Sequence, residues 1–416
     1  MVQHGSERSA VLTARYVVPV EQPPIREGGV CIQDGCIAHV APRADLAGGP
    51  VEDLGDAALL PGLINAHTHL ELSGYAGRLK PSSLWKWLAR LVRLRRKADP
   101  RDEQASAARA AAESLQAGVT CIADISRRGD AWSGLRDAPV RKVCFAELLT
   151  LAKHPPRCPA ELVQAVEAVP ADDRLLPGVS PHGPYTVRGD HLAETVELAR
   201  RRGWPLTTHW AETREECRWL MRGGGVLGAL IRTLGGAHSI SSPRCPPIVY
   251  AERLGLLSMP ALLAHVNYIT DEELDRLREG SAAVVYCPRS HRFFGHKRHR
   301  WRDMLEAGVT VCIGTDSAAS LPAGATLSVL DELRFLHREH PDVSPATLLS
   351  MATLSPARAL GLDGQIGSLT PGKRADLVAV PLSGRDVDDP LSDLLENDVD
   401  PTGVWIDGER YLPPQT

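Results

Sequence analysis

The chain has 416 residues, with 47 Lys and Arg against 51 Asp and Glu and a formal net charge of −4 at pH 7. This length suits one large domain of about 250 to 300 residues and a smaller one. The near balance of charge argues against a dedicated nucleic-acid-binding protein, and no stretch reaches the roughly 18 apolar residues that cross a membrane.

Cysteine usage and the first residues bear on the compartment. The nine cysteines form no CxxC pair, and several lie in apolar runs such as VTCIADI. An odd, scattered set is typical of buried reduced thiols and not of a disulfide framework. The start, MVQHGSERSA, lacks the apolar segment of a signal peptide. We therefore expect a cytoplasmic protein.

Strand-forming segments occur at both ends of the chain. VLTARYVVPV and GGVCIQDGCIAHV lie near the start, RADLVAVPL and GVWIDGERYL lie near the end, and each pair contains an Asp-Gly turn. The two ends are predicted to form one small β-sandwich domain. We place its N-terminal part at residues 1–57 and its C-terminal part at residues 363–416.

Between them, in residues 58–362, short apolar runs alternate with helical patterns such as SAARAAAESLQAG and LAETVELARRRG. The apolar runs are residues 58–67, 118–125, 142–149, 175–182, 205–212, 261–268, 282–289 and 310–317. Near-continuous apolar strands separated by helices indicate a parallel sheet, and eight such units predict a (β/α)8 TIM-like barrel. The fold class is therefore α/β.

Polar residues follow several of these runs at the strand end where a barrel carries its active site. His67 and His69 end the first run, His182 the fourth, His209 and Glu212 the fifth, His265 the sixth and Asp316 the eighth. A single histidine at a strand end is more often a hydrogen-bonded structural residue than a ligand. Five separate strands ending in this way favour a shared site.

The residue types suit metal chemistry. Three imidazoles and one carboxylate, from His67, His69, His209 and Asp316, make a competent zinc site with a water in the remaining position, and iron(II) or manganese would also accept these ligands. Glu212 is placed to move protons between that water and a substrate. His265 would orient the water or stabilise a developing oxyanion. For His182, a substrate contact and a structural hydrogen bond both remain open.

These motifs resemble the amidohydrolase superfamily, in its branch of mononuclear deaminases and chlorohydrolases. The matching stretches are PGLINAHTH, SPHGPYT, HWAET, AHVNYITDEE, CPRS and GTDS, in the order of that family, and LSPARALGLDGQIGSLTPGKRADLVAV resembles its C-terminal signature. The resemblance implies a (β/α)8 barrel with a β-sandwich from both termini. It also implies four metal ligands (His67, His69, His209 and Asp316), Glu212 as proton shuttle, His265 as a catalytic histidine and Asp316 as an acceptor of the water proton.

The fourth run, LLPGVSPH, contains no lysine. The binuclear branch of that superfamily uses a carboxylated lysine there, so one divalent ion per chain is expected. Because SPHGPYT resembles a stretch of nucleoside deaminases and triazine hydrolases, and HTHLELS that of aminodeoxyfutalosine deaminases, Glu71 is a candidate substrate residue. Two departures affect the substrate pocket: His291 stands where relatives have an asparagine, and AASLPAGAT follows GTDS.

The predicted function is hydrolytic deamination of an amino-substituted heterocycle, an adenine nucleoside such as aminodeoxyfutalosine, with release of ammonia. Trp85 and Trp87 either stack on the base or fill a loop core. Arg289 or Arg292 are candidates for binding a substrate carboxylate. No nucleic acid or membrane partner is expected, and a homodimer through outer helices is an option.

The sequence leaves two alternative functions open. One is hydrolysis of a cyclic amide or a triazine by the same site. The other is a non-catalytic barrel scaffold, which the complete set of ligands and shuttle disfavours. The basic stretches 88–101 and 291–302 are interpreted as solvated faces and loop rims, with an anion-binding lip over the barrel mouth as the alternative.

Overall fold

The computed structural model describes residues 9–46, 49–151, 156–235, 240–384 and 386–412. Residues 1–8, which make up most of the N-terminal segment MVQHGSERSA, lie outside this described part. The chain divides into two compact units. The first comprises the described residues within Met1–Asn65, Ala112–Cys121 and Ser328–Thr416, and the second those within Ala66–Ala111 and Ile122–Leu327.

The described secondary structure alternates strands and helices over most of the chain. The strands are β1 (Ser9–Val17), β2 (Ile25–Gln33), β3 (Cys36–Pro42), β4 (Val51–Asp53), β5 (Ala57–Pro61), β6 (Leu63–Thr68), β7 (Val119–Ser126), β8 (Arg141–Leu148), β9 (Leu175–Pro181), β10 (Thr207–Trp210), β11 (Leu262–His265), β12 (Ala283–Tyr286), β13 (Val311–Ile313), β14 (Leu377–Pro381), β15 (Gly403–Ile406) and β16 (Glu409–Leu412). The α-helices are α1 (Leu84–Arg95), α2 (Pro100–Gln116), α3 (Trp132–Leu135), α4 (Pro159–Glu167), α5 (Gly189–Arg202), α6 (Arg214–Arg222), α7 (Gly225–Gly235), α8 (Pro247–Arg253), α9 (Asp271–Glu279), α10 (Pro288–Phe293), α11 (Trp301–Glu306), α12 (Val329–Glu339), α13 (Pro345–Met351), α14 (Leu354–Ala359) and α15 (Pro390–Glu396).

In the first unit, both ends of the chain contribute strands to one sheet. Its order is β16-β15-β14-β5-β1-β2-β3, and β4 pairs with β1. Asp34 and Gly35 turn β2 into β3 with φ of 50° and 79°, and Asp407 and Gly408 turn β15 into β16 with φ of 50° and 73°. Two successive positive φ angles are what a tight hairpin turn requires. The predicted β-domain built from both termini is confirmed.

The barrel strands form two parallel arrays, β6-β7-β8-β9 and β10-β11-β12-β13. Single bridges join them, from Val179 to Leu206 and from Thr68 to Asp316, so that the eight strands make a closed ring. The predicted eight-stranded barrel is confirmed. Its strands are buried along their length, as expected for a sheet covered by helices.

The first apolar run, residues 58–67, is not one strand as expected but parts of two. β5 pairs with β1 and β14 in the terminal sheet, whereas β6 belongs to the barrel. Gly62 separates them, and a Cβ there would lie 2.0 Å from the Thr120 hydroxyl oxygen. A continuous apolar pattern gives no sign of this change of sheet, because both strands are fully buried.

Capping residues define the ends of several barrel helices. α5 ends at Gly203, whose φ of 66° is the left-handed conformation of a C-terminal cap. α9 begins with a reciprocal cap between Thr270 and Glu273. Among the described helices, none is long and apolar enough to span a membrane.

Candidate metal centre

The predicted ligands lie on strand ends of the second unit that meet across the barrel. His67 lies in β6, His69 follows that strand by one residue, His209 lies in β10 and Asp316 lies three residues after β13. The Thr68 hydroxyl donates to the Asp316 carbonyl over 2.7 Å, which ties the first strand end to the eighth. The parallel ladder thus brings together residues that are up to 249 positions apart in the sequence.

The donor atoms of these residues converge. His69 Nε2 lies 3.1 Å from His209 Nε2 and 4.0 Å from Asp316 Oδ1. The His67 ring lies against both imidazoles, with centroids 5.1 Å from that of His69 and 5.0 Å from that of His209. His67, His69 and Asp316 form a group whose ligand atoms are all within 4.8 Å, and His67, His209 and His265 form a second such group.

The backbone is strained where it presents these side chains. Ala211, His265, Val266 and Asp316 have φ of 50°, 73°, 48° and 57°, a left-handed conformation that costs energy for residues other than glycine. Gly314 permits the close approach of the strands, because a Cβ there would lie 2.9 Å from the His67 carbonyl oxygen. Such clustered strain is typical of functional sites.

Hydrogen bonds orient the ligands. His209 Nδ1 donates to the His182 carbonyl over 2.9 Å, which leaves Nε2 for an ion. The Ser290 and Ser320 hydroxyls donate to Asp316 Oδ2 over 2.6 and 3.1 Å, which leaves Oδ1 facing His69. Neutral, oriented imidazoles and a carboxylate are the donor set that zinc takes, so the residues fit a divalent metal.

Protonation favours the same conclusion. Burial lowers the pKa of His67 and His69 well below the usual histidine value, with a further lowering from His209. Burial also lowers the pKa of His209 to about 4 and raises that of Asp316 to about 6. Metal ligands must be deprotonated, and imidazoles with lowered pKa values are already neutral at pH 7.

Glu212 and His265 face each other beside the ligands, with Glu212 Oε1 3.7 Å from His265 Nε2. Glu216 accepts the backbone N–H groups of Ala211 and Glu212 over 2.8 and 2.9 Å, and the Asn267 amide donates to the Glu212 carbonyl over 3.0 Å. Burial, with Asp316 and Glu216 adding to it, raises the pKa of Glu212 well above the usual value. A carboxyl group with a raised pKa is suited both to accept and to donate a proton.

His182 lies on the other side of His209, with the two rings stacked at 4.7 Å. Its Nδ1 is 2.8 Å from the Thr186 hydroxyl and its Nε2 is 4.0 Å from Glu147 Oε1. Sequence reasoning missed Glu147, although it is a carboxylate near the end of a predicted strand. Burial, with a smaller contribution from Glu71, raises the pKa of Glu147 to about 8.

Glu147, His182 and His209 also have ligand atoms within 4.8 Å of one another. A second ion there would need His209, whose Nδ1 is used by the His182 carbonyl and whose Nε2 faces His69. The geometry therefore supports the prediction of one ion per chain.

The sequence of the whole chain matches known proteins. Residues 58–411 match the model of the amidohydrolase family. The chain belongs to this family. It is 32% identical to a 5-methylthioadenosine/S-adenosylhomocysteine deaminase of Moorella thermoacetica over 88% of this chain and 83% of that protein. It is 29% identical to a 5′-deoxyadenosine deaminase of Methanothermobacter thermautotrophicus over 85% of this chain and 81% of that protein.

Solved structures resemble this amidohydrolase over nearly its whole length. An adenosine deaminase from Xanthomonas campestris with bound zinc has a TM-score of 0.84 and 26% identity, and the match covers 97% of this chain and 93% of that one. Helicobacter pylori aminofutalosine deaminase, in complex with methylthio-coformycin, has a TM-score of 0.87 and 23% identity, with coverage of 97% and 100%. The second likeness shows the shared fold alone.

Glu71, which the sequence predicted to contact substrate, is 3% exposed and pairs with Arg95. Arg95 Nη2 lies 2.6 Å from Glu71 and 2.8 Å from Glu103, so the guanidinium is held between two carboxylates. Within the basic stretch 88–101, Arg95 is thus turned inward, whereas Arg90, Arg93 and Lys97 are exposed.

The two tryptophans of α1 lie in different surroundings. Trp87 is buried and donates from Nε1 to the Ala319 carbonyl over 3.0 Å, which matches the loop-filling alternative. Trp85 is partly exposed and packs edge-on against Tyr185, with centroids 5.3 Å apart. Tyr185 in turn packs edge-on against His182 at 5.7 Å. An aromatic wall therefore leads from α1 toward the metal ligands.

His291 lies in α10 and belongs to what we call the second histidine cluster, formed by His291, His296 and His299 with Tyr268 and Tyr286. The ring centroid of His291 is 5.1 Å from that of His296 and 5.9 Å from that of His299. His299 Nε2 donates to the His265 carbonyl over 2.6 Å, so this cluster lies directly behind the Glu212–His265 pair. The buried members of the basic stretch 291–302 are His291, Phe293, Phe294, His299 and Trp301.

The two arginines considered for a substrate carboxylate lie in the same helix as His291. Arg289 is partly exposed and its Nη2 donates to the Thr326 carbonyl over 2.8 Å, and Arg292 is exposed. Their role in carboxylate binding remains a prediction.

Proposed function

We propose that this amidohydrolase deaminates the adenine ring of a nucleoside by hydrolysis and uses one divalent ion, with zinc as the first candidate. The observation that carries the proposal is the Glu212–His265 pair, 3.7 Å apart and next to converging imidazoles and Asp316. The family match and the names of the relatives support the same reaction. The zinc-bound structural neighbour supports the choice of metal.

His67, His69, His209 and Asp316 are the residues that would hold the ion. A divalent ion bound there supplies Lewis acidity and lowers the pKa of an adjacent water to roughly 7, which provides a nucleophile at neutral pH. The ordering hydrogen bonds to His209 and Asp316 keep these donors in place without reorganisation during the reaction.

Glu212 performs the proton transfers. It takes a proton from the attacking water and delivers it to the ring nitrogen next to the carbon that bears the amine, so that this carbon becomes tetrahedral. The hydroxyl added to this carbon then gives up its proton, which passes by way of Asp316 to the amine. A carbon–oxygen double bond forms as the carbon–nitrogen bond breaks and ammonia leaves. His265 faces the same carboxyl group and stabilises the oxygen as negative charge develops on it. Asp316 holds the hydroxyl proton during this transfer.

The part of the substrate that is not reacting lies, in this proposal, along the aromatic wall of Trp85 and Tyr185. Flat rings of this kind stack on a purine. A nucleoside with a carboxylate, such as aminodeoxyfutalosine, remains one member of the proposed substrate class. The nine free cysteines support a reducing compartment, and we propose the cytoplasm.

The deciding experiment is an ammonia-release screen with the purified, zinc-loaded chain. The compounds are adenosine, 5′-methylthioadenosine, S-adenosylhomocysteine, 5′-deoxyadenosine and aminodeoxyfutalosine, with guanine, a cyclic amide and an aminated or chlorinated triazine as alternatives. We expect turnover of one or more adenine nucleosides. Turnover of only the amide or the triazine would instead support the second predicted activity, and turnover of none would support the scaffold.

The Glu212→Gln variant tests the mechanism. Because glutamine has the same shape but cannot exchange a proton, turnover should fall by about 100-fold or more while the metal content stays at that of the wild type. Glu194→Ala, on the exposed face of α5, is the control and should keep full activity. Near-normal turnover in Glu212→Gln would mean that another residue shuttles the proton.

A further inference from the structure

Three polar side chains at neighbouring strand ends of the barrel have no part in the mechanism above. Arg127 directly follows β7, Glu147 is the last residue but one of β8, and His182 directly follows β9. Because β8 and β9 are paired in parallel, with Glu147 opposite Ser180, the three residues line one sector of the same barrel edge. Glu147 is 5% exposed and Arg127 is half-buried.

This sector leaves its charged groups without close partners. Among the described residues, no side chain hydrogen-bonds to the Glu147 carboxyl group, and His182 Nε2 lies 4.0 Å from its Oε1. The Arg127 guanidinium likewise makes no hydrogen bond or ion pair with a described residue, although Glu147 and Glu71 act on it electrostatically. Buried polar groups normally have hydrogen-bond partners, so the buried Glu147 beside the half-buried Arg127 suits a polar ligand.

The sector is also correctly placed for the far end of the substrate. His182 stacks on His209. Glu212 follows β10, the strand that holds His209, and His265 ends the neighbouring strand β11. In an adenine nucleoside, the amine-bearing carbon and the nitrogen that carries the sugar lie at opposite ends of the purine. With the amine end between Glu212 and His265, the sugar end points away from that pair.

The chemistry of the two charged groups selects the ligand. A guanidinium only donates hydrogen bonds, and a carboxyl group accepts them and also donates while it is protonated. A hydroxyl donates and accepts, so it can pair with Glu147 in either protonation state. Two adjacent sugar hydroxyls can donate to Glu147 and accept from Arg127 at the same time, much as an acidic residue binds the ribose of a dinucleotide. A ligand carboxylate would pair with Arg127 but could accept from Glu147 only while Glu147 is protonated, and an apolar group would leave both unpaired.

We propose that Glu147 and Arg127 form a hydroxyl subsite that binds the ribose of the substrate, with His182 beside it, and that selects ribonucleosides over deoxynucleosides. This inference rests on the proposed function. It assigns Glu147 and Arg127 to substrate recognition rather than to the transfer of protons.

The test compares adenosine with 2′-deoxyadenosine and 3′-deoxyadenosine. Wild type should have a kcat/KM at least about 10-fold higher for adenosine than for one of the deoxy compounds, since a hydrogen bond to a charged group is lost. In Glu147→Ala this ratio should fall to less than about 3, chiefly through the loss of activity on adenosine, and Arg127→Met should lower it in the same way. Glu147→Gln keeps one acceptor oxygen and should retain part of the preference.

Metal content and thermal melting confirm that each variant is folded and loaded, and Glu194→Ala should keep the wild-type ratio. Equal losses of kcat/KM on adenosine and on both deoxy compounds in Glu147→Ala would mean that Glu147 has a structural role, which would overturn the subsite. A wild type that deaminates all three compounds equally would overturn it too, with the deaminase function intact. Absence of turnover of every nucleoside would overturn both the function and the subsite.

Discussion

Two groups of histidines lie close together in the barrel, and they differ in what their nitrogens face. In the metal centre, the nitrogens of His67, His69 and His209 converge on each other and on a carboxylate. In the second histidine cluster, the His299 Nε2 donates to a carbonyl and the His296 Nδ1 lies 2.7 Å from the Tyr268 hydroxyl. Among the described residues, this cluster contributes no group of three converging ligand atoms.

The difference shows that the number of buried histidines does not define a metal site. Burial lowers pKa values in both groups, for example to about 4 in both His209 and His296. What separates them is convergence at strand ends and a carboxylate whose second oxygen is fixed by serine hydroxyls. Replacing one histidine of each group and comparing the metal content of the two variants can therefore test this difference.

The largest expected effect is the loss of the metal from His209→Asn. Wild type should contain about one transition metal per chain, and this variant should contain almost none, with turnover reduced by more than about 100-fold because a direct ligand matters more than an outer hydrogen bond. His296→Gln is the matched control from the second histidine cluster and should keep one ion. Metal loss in both variants, or two ions per wild-type chain, would contradict the assignment.

A smaller effect is expected at the support of Asp316. Ser290→Ala removes the hydroxyl that donates to Asp316 Oδ2 over 2.6 Å, while the Ser320 hydroxyl remains at 3.1 Å. Metal affinity, measured by competition with a chelator, should fall by roughly 10-fold. Ser392→Ala, which breaks an exposed serine–aspartate hydrogen bond on α15, is the control. Unchanged affinity in Ser290→Ala would show that Ser320 alone fixes the carboxylate.

The sequence predicted that these residues converge because they follow a rule of position. A side chain at the end of a buried parallel strand must lie at the active edge of the barrel, so the strand ends alone place His67, His209 and Asp316 together. The same rule would have found Glu147 if carboxylates within strands had been counted. The barrel and the terminal sheet were also predictable, because apolar runs and Asp-Gly turns determine strands and hairpins through neighbouring residues in the sequence.

Other features depend on contacts between distant residues that no local pattern encodes. Glu71 follows the metal-binding motif, yet Arg95 binds its carboxylate from α1. His291 stands at a position of expected substrate contact, yet its ring packs among His296, His299 and Tyr286. Gly62 ends one strand and begins another because of a close approach to Thr120. Such features need the packed structure.

The smallest expected effect is a pH dependence of stability from the second histidine cluster. Burial lowers the pKa of His296 to about 4, against about 6.5 in an unfolded chain. Glu215 raises this pKa and Arg214 lowers it, and the ring also faces the Tyr268 hydroxyl and His291. Between pH 6.5 and 4 the unfolded chain therefore binds more protons at this position, and the free energy of unfolding falls as the pH falls.

His296→Gln removes this contribution, which is fully present above pH 6.5. Urea denaturation at a series of pH values should show that the variant loses less stability than wild type between pH 6.5 and 4. His39→Gln, an exposed histidine on β3, is the control and should match the wild-type curve. Because wild type and variant share the metal ligands, the difference between their curves isolates His296, and parallel curves would show that this imidazole is not buried as a neutral group.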